Sequence, residues 1–141
     1  MRVMGLDIGE KRIGMALSDP LGIIASALIV VERKTDEAAV KQIIELAREN
    51  EVERIIVGLP LSLDGSLGRQ AQLVQHFIEL LKGRVQLPIV TWDERLSTVA
   101  AERALLEVGM KRDKRKKRRD SLASSFILQS YLDAERSRIS G

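Results

Sequence analysis

Apolar positions along this chain follow two different periods. Residues 2–8 form an apolar stretch, residues 11–18 alternate loosely, and residues 22–31 are rich in Ile, Val and Ala. Between them, Gly9-Glu10 and Asp19-Pro20-Leu21-Gly22 carry turn chemistry. Three strands joined as an antiparallel meander are predicted.

The period then becomes helical. Thr35 can cap a helix whose first turn holds Asp36 and Glu37, acids that complement the helix dipole. Val40, Ile43, Ile44 and Ala47 give it one apolar face. Residues 54–58 are a short apolar run of the kind that fills a buried parallel strand. A Gly-, Pro- and Ser-rich loop spans 59–68, and a helix over about 69–82 buries Ala71, Val74, Ile78 and Leu81. Residues 88–92 predict a fifth strand that ends in Asp93-Glu94-Arg95. Ser97 or Thr98 caps the next helix, which Gly109 stops, and a final helix runs from about 120 to 136. The order βββαβαβαα predicts one α/β domain over residues 1–141. Its five-stranded mixed sheet has three antiparallel strands beside two parallel ones, flanked by helices on both faces. That is the ribonuclease H-like layout.

Composition narrows the chemistry. The 141 residues are 45% apolar and 30% charged, as expected of a soluble globular protein. No apolar run reaches membrane-spanning length, and a cytoplasmic address is expected. Without cysteine there is no disulfide, thiolate metal site or thiol nucleophile. Net charge is +3, but residues 111–119 hold eight basic residues and one acid, leaving 15 basic against 19 acidic residues elsewhere. All the positive excess therefore sits in one cluster, a pattern suited to a polyanion rather than to solubility.

Asp7 is the carboxylate that asks for an explanation, because it lies near the end of an apolar strand. In open α/β sheets, ligands gather at the carboxyl ends of parallel strands. Glu94 after strand five and Asp120 behind the basic run are the acids predicted to join Asp7 there. Asp93 competes with Glu94, since neighbours on an extended segment point to opposite faces. Crowded carboxylates repel unless a cation sits among them, and Mg²⁺ or Mn²⁺ suits all-oxygen ligands. Two such ions would clamp the attacking and leaving oxygens of a phosphodiester. Lys11, Arg12, Arg69 and the tract Lys111, Arg112, Lys114, Arg115, Lys116, Lys117, Arg118 and Arg119 are the candidate phosphate contacts. The loop ahead of Arg69 opens a helix whose amides suit a phosphate. Each residue also has a plainer reading: Asp7 as a turn acid, Glu94 as a surface partner of Arg95, Asp120 as a helix-start acid, and the basic tract as a solvated loop. His76 and Trp92 read as a surface residue and a core residue.

Four segments together resemble the YqgF (RuvX) family, named as pre-16S ribosomal RNA nucleases and also described as Holliday junction resolvase-like. They are Gly5-Leu6-Asp7-Ile8-Gly9 with Lys11-Arg12-Ile13-Gly14, Val57-Gly58-Leu59-Pro60-Leu61, Asp93-Glu94-Arg95-Leu96-Ser97-Thr98, and the stretch from Asp120 through Ile127-Leu128-Gln129-Ser130-Tyr131-Leu132. The resemblance implies a ribonuclease H-like fold, an acidic site on Asp7, Glu94 and Asp120, and one or two divalent ions. Compared with RuvC resolvases, the strand-four acid is missing, since that position reads Gly58-Leu59-Pro60, and the resemblance implies that Glu94 on strand five stands in for it. Ala123-Ser124 supplies no fourth acid one turn after Asp120. Ser124-Ser125 reads as a packing variation.

The expected activity is metal-dependent endonuclease cleavage of structured RNA at the 5′ end of precursor 16S rRNA. The ribosomal subunit is an expected partner, and the protein would act as a monomer or homodimer. Branched DNA is the alternative substrate, and a non-catalytic nucleic-acid-binding module is the alternative class. Actin-like and sugar-kinase ATPases also begin with Asp-x-Gly on a first strand. They need two such domains, which 141 residues do not supply.

Overall fold

The computed structural model describes residues 1–97 and 112–140, with side chains described for 1–97 and 122–138. The helix expected to end at Gly109, together with Thr98 and Lys111, lies outside the described residues. Five strands form one sheet: β1 (Val3–Ile8), β2 (Arg12–Ser18), β3 (Ala25–Glu32), β4 (Arg54–Leu59) and β5 (Ile89–Asp93). Their order is β3-β2-β1-β4-β5. β1 pairs antiparallel with β2 and β2 with β3, while β4 runs parallel to both β1 and β5. This is the predicted mixed sheet.

Alternation along β1 separates two cores. Met4, Leu6 and Ile8 join Ile13, Met15, Ile55 and Val57 under α1 (Asp36–Glu49) and α2 (Arg69–Lys82). Val3, Ala16 and Ile56 point the other way, against Ala123, Ile127, Leu128, Tyr131 and Leu132 of α3 (Arg112–Ser140). The first helix starts as its sequence dictates. Thr35 accepts from the Ala38 amide, and Asp36 and Glu37 occupy the first turn of α1.

Two boundaries differ from expectation. β3 begins at Ala25 rather than near residue 22, because Asp19 Oδ1 accepts from the amides of Ile23 (2.7 Å) and Ile24 (3.0 Å) and keeps that segment in a turn. Gly22, at φ 71, supplies the left-handed step. The second difference is larger. The last helix starts at Arg112, so the basic tract from Arg112 to Arg119 is helical backbone rather than a loop ahead of Asp120. Lys and Arg are strong helix formers, and the tract contains neither Gly nor Pro to stop a helix. Asp120 thus lies inside α3 rather than opening it.

The α3 layer sits close to the sheet because β1 offers it a glycine. A Cβ built on Gly5 would lie 2.8 Å from Leu128 Cβ and 3.1 Å from the Ser124 carbonyl oxygen. Neither neighbour is the free end of a flexible side chain. Gly5→Ala should therefore cost about 1–3 kcal/mol through overpacking, read as a lowered midpoint in urea unfolding. An unchanged midpoint would mean that the helix does not press on β1.

Candidate active site

Asp7 is the fifth residue of β1 and is 9% exposed. By alternation it shares the α3-facing side with Val3 and Gly5. On one flank it pairs with Gly14 of β2. On the other, the parallel register runs Gly5 to Ile56 and Leu6 to Val57, and one further step brings Gly58 beside Asp7. Adjacent strands lie about 4.8 Å apart. Asp7 is thus flanked on both neighbouring strands by residues with no side chain, which leaves lateral space around a carboxylate in an otherwise filled layer.

Glu94 enters that space. In β5, Trp92 pairs with Gly58 and Asp93 with Leu59, after which a 3₁₀ turn spans Glu94–Leu96. A Cβ on Gly58 would stand 3.2 Å from both Cγ and Oε2 of Glu94 and 2.6 Å from Ile127 Cδ1. The Glu94 carboxylate therefore lies across β4 on the α3 side, where β4 itself has no side chain. Asp7 and Glu94 come to one face of the sheet at one level of the register.

The choice between Asp93 and Glu94 follows from what holds Asp93. Its carboxylate receives Arg95 Nε at 3.0 Å on both oxygens and Nη2 at 2.7 Å, and it accepts from the Arg95 amide at 2.9 Å. These bonds hold the Asp93 carboxyl below its ordinary range and raise the Arg95 guanidinium above its own. Arg95 pairs with Asp93, so the plainer reading of Glu94 as a surface partner of Arg95 does not hold.

Asp120 belongs to α3, one helical turn ahead of Ser124, whose carbonyl oxygen adjoins Gly5. That places position 120 toward the Asp7 end of the sheet, and its side chain lies outside the described set. Among the described residues no group of three or more His, Cys, Asp or Glu side chains gathers as a metal site. Two of the three predicted acids, Asp7 and Glu94, lie on one face of the sheet on either side of Gly58. As hard oxygen donors on one face, they suit a divalent ion such as Mg²⁺ or Mn²⁺.

The predicted cations are spread around this edge. Lys11 is exposed in the turn that follows Asp7. Arg12 lies 3.5 Å from Glu32 through Nε, yet its Nε and Nη1 are buried without a hydrogen-bond partner among the described residues. Arg2 and Arg54, at the opposite end of the sheet, share that trait through Nε alone. Arg69 is exposed at the start of α2, whose cap residue Gly68 offers no side-chain hydrogen bond. Arg112, Lys114, Arg115, Lys116, Lys117, Arg118 and Arg119 occupy the first turns of α3 as backbone. His76 is exposed, and Trp92 is half-buried, donating to Ser130 Oγ at 3.0 Å and meeting Tyr131 edge-on.

Two arginines to which the sequence reading gave no part in the site shape this edge. Arg33 donates to the Gly9 carbonyl (2.8 Å) and to Asp36 Oδ1 (2.7 Å) and lies over the Phe77 ring, fixing the turn behind Asp7. Its signal was the Arg-x-x-Asp spacing before α1. Arg95 is the other, and its signal was the Asp-x-Arg spacing around Glu94. The positions of Gly58 and Glu94 can be checked by a double-mutant cycle on unfolding free energy. Gly58→Ala should cost about 1–2 kcal/mol, and at least about 0.5 kcal/mol of that should vanish in a Glu94→Ala background. Simple additivity would contradict the overlap of the two side-chain positions.

Known proteins resemble this chain in sequence and in shape. The pre-16S rRNA nuclease of Desulforamulus reducens, a provisional name, is 51% identical over 134 residues, covering 95% of this chain and 98% of the relative. The similarly named protein of Clostridium novyi is 48% identical over 134 residues, covering 95% and 99%. Among solved structures, Thermus thermophilus RuvC in complex with a Holliday junction superposes with a TM-score of 0.61 at 14% identity, covering 96% of both chains. The fowlpox virus Holliday junction resolvase gives 0.56 at 19% identity over 95% of this chain and 99% of its own. Both establish the ribonuclease H-like fold. Residues 1–134 match the RuvX family, described as Holliday junction resolvase, and the chain belongs to that family.

Proposed function

We propose that this protein is a divalent-metal-dependent endonuclease that cleaves structured RNA, with the 5′ end of precursor 16S rRNA as its target. The observation that carries the reading is that Glu94 lies across Gly58, the side-chain-free position that the register sets beside Asp7. Close carboxylates on one half-buried face repel each other, and a cation or a shared proton relieves that repulsion. Asp120, on the turn of α3 ahead of Ser124, would be the third ligand of such an ion. One or two Mg²⁺ or Mn²⁺ ions bound there would supply Lewis-acid stabilisation of the phosphoryl oxygens and a more acidic water. No helix among the described residues is long and apolar enough to cross a membrane, and a cytoplasmic protein acting near the ribosomal subunit fits this reading.

The chain's own residues do the rest. Lys11, exposed beside the turn after Asp7, attracts the nucleic-acid backbone. Arg12, ion-paired with Glu32 through Nε, adds a second positive charge at the same edge. Arg69 adds charge at the start of α2, where Gly68 supplies no side-chain cap and a helix N-terminus favours an anion. Lys111 and the Arg112–Arg119 tract extend the contact to more distant phosphates. Such contacts orient a backbone without reading its sequence, so selection rests on RNA shape. The names of the relatives favour RNA. The description of the family favours branched DNA as the second reading, where a homodimer would pair two sites.

Asp7→Asn should lower Mg²⁺- or Mn²⁺-supported cleavage of a precursor 16S fragment by at least about 100-fold, roughly 3 kcal/mol of barrier, with the fold retained. Wild-type cleavage by that variant would remove Asp7 from the metal site. Side-by-side cleavage of a four-way DNA junction decides the substrate: a preference for the junction would overturn the RNA reading. Replacing Lys116 and Lys117 with Gln should flatten the dependence of log affinity on log salt by about 0.7–0.9 for each phosphate no longer neutralised. An unchanged slope would exclude the tract from backbone binding.

A further inference from the structure

The guanidinium of Arg95 joins the two segments that leave the carboxyl ends of β4 and β5. From the β5 side it grips Asp93 through Nε and Nη2. From the other side Nη1 donates to the Leu63 carbonyl at 3.1 Å, and the group packs 3.5–3.9 Å from the Cβ position of Gly65. Gly65 has φ 87, so a β-carbon there would be strained as well as close to Arg95. The loop tip is itself closed. The Gly65 amide donates to the Ser62 carbonyl at 2.8 Å, the Ser62 amide to the Ser66 carbonyl at 3.0 Å, and the Ser66 amide to Asp64 Oδ1 at 2.9 Å. Arg95 thus docks one preformed turn onto another.

Glu94 sits inside that second turn. Asp93 caps it by accepting from the Arg95 amide. On the far side, Ser97 closes it on the Glu94 carbonyl through its amide (3.1 Å) and its hydroxyl (2.8 Å). The Arg95 side chain reaches the 62–65 loop with Asp93 bound to it, and the Glu94 side chain lies across Gly58. The bond from Arg95 Nη1 to the Leu63 carbonyl ties this turn to the 62–65 loop, and the fork to Asp93 holds the guanidinium in the orientation that makes it.

We infer that Asp93 and Arg95 are positioning residues: their bidentate pair, anchored on the Leu63 carbonyl, locks the rotation of the 94–96 turn so that Glu94 is presented over Gly58. This rests on the reading of Glu94 as a ligand of the nuclease site. It assigns Arg95 a different task from Lys11, Arg12 and Arg69, because its planar fork is occupied by Asp93 and Leu63 rather than offered to phosphate. A lysine in its place keeps a point charge but cannot make the fork.

The test compares wild type with Arg95→Ala, Arg95→Lys and Asp93→Asn. Hydrogen exchange without metal or nucleic acid reads the clamp directly. In all three variants the amides of Gly65 and Ser97 should exchange at least about ten-fold faster while core amides of β1 and β4 keep their rates. Unchanged exchange at Gly65 and Ser97 would overturn the clamp, and so would uniform acceleration throughout the core. Cleavage provides the second arm. The Mn²⁺ concentration for half-maximal rate should rise about ten-fold in each variant, with the KM for RNA within about two-fold of wild type. If Arg95 instead contacts phosphate, Arg95→Ala raises KM, Arg95→Lys restores it, and Asp93→Asn does neither, which contradicts the proposal. A wild-type protein that fails to cleave any substrate would remove the nuclease reading, and the exchange arm would still decide the clamp.

Discussion

Everything at the acidic edge depends on how closely α3 lies against the sheet. The face toward α1 and α2 is filled by Leu, Ile, Val, Met and Phe. The face toward α3 carries Gly5, Gly14, Ala16 and Gly58 near its centre. A close-packed interior keeps no space idle, and the spaces beside Gly5 and Gly58 each have specific neighbours. Leu128 and the Ser124 carbonyl occupy the space beside Gly5, while Ile127 and Glu94 occupy the space beside Gly58. Adding a single β-carbon to this lane shifts either the helix or the carboxylate. The placement of the carboxylates and the packing of the second layer are therefore one problem, not two.

The sheet and its first layer were legible because their signals are local and redundant. Turn residues separate the first three strands, Thr35 with two acids starts α1, and an apolar five-residue run marks β4. Asp7 was legible for a different reason: a carboxylate in an apolar strand conflicts with its surroundings, and such conflicts concentrate at functional sites. The start of α3 was not legible. Helix propensity in a run of Lys and Arg favours continuation, but the same residues repel one another, and an acid at position 120 offered a competing start signal. Only tertiary context decides between them.

The pairing of Asp93 with Arg95 shows where sequence order misleads. Three consecutive charged residues permit either acid to take the arginine, and nothing in their identity selects one. The 3₁₀ turn decides, because it places residues 93 and 95 on one side and residue 94 on the other. Arg33 was obscured in the same way. Its partners are the Gly9 carbonyl, Asp36 and Phe77, which belong to a turn and two different helices. Long-range convergence of this kind leaves almost no trace in a local window.

The length of α3 sets the scale on which the molecule meets its surroundings. Its 29 residues extend about 43 Å, whereas the six residues of β1 span about 20 Å. Ser124 lies against Gly5, and the contacts of the helix with the sheet among described side chains run from Ala123 to Leu132. The charge-dense turns lie ahead of that stretch, on the side of Asp7 rather than of the strand starts. Length thus lets a single helix serve as a packing layer over one part and carry a dense line of charge over another.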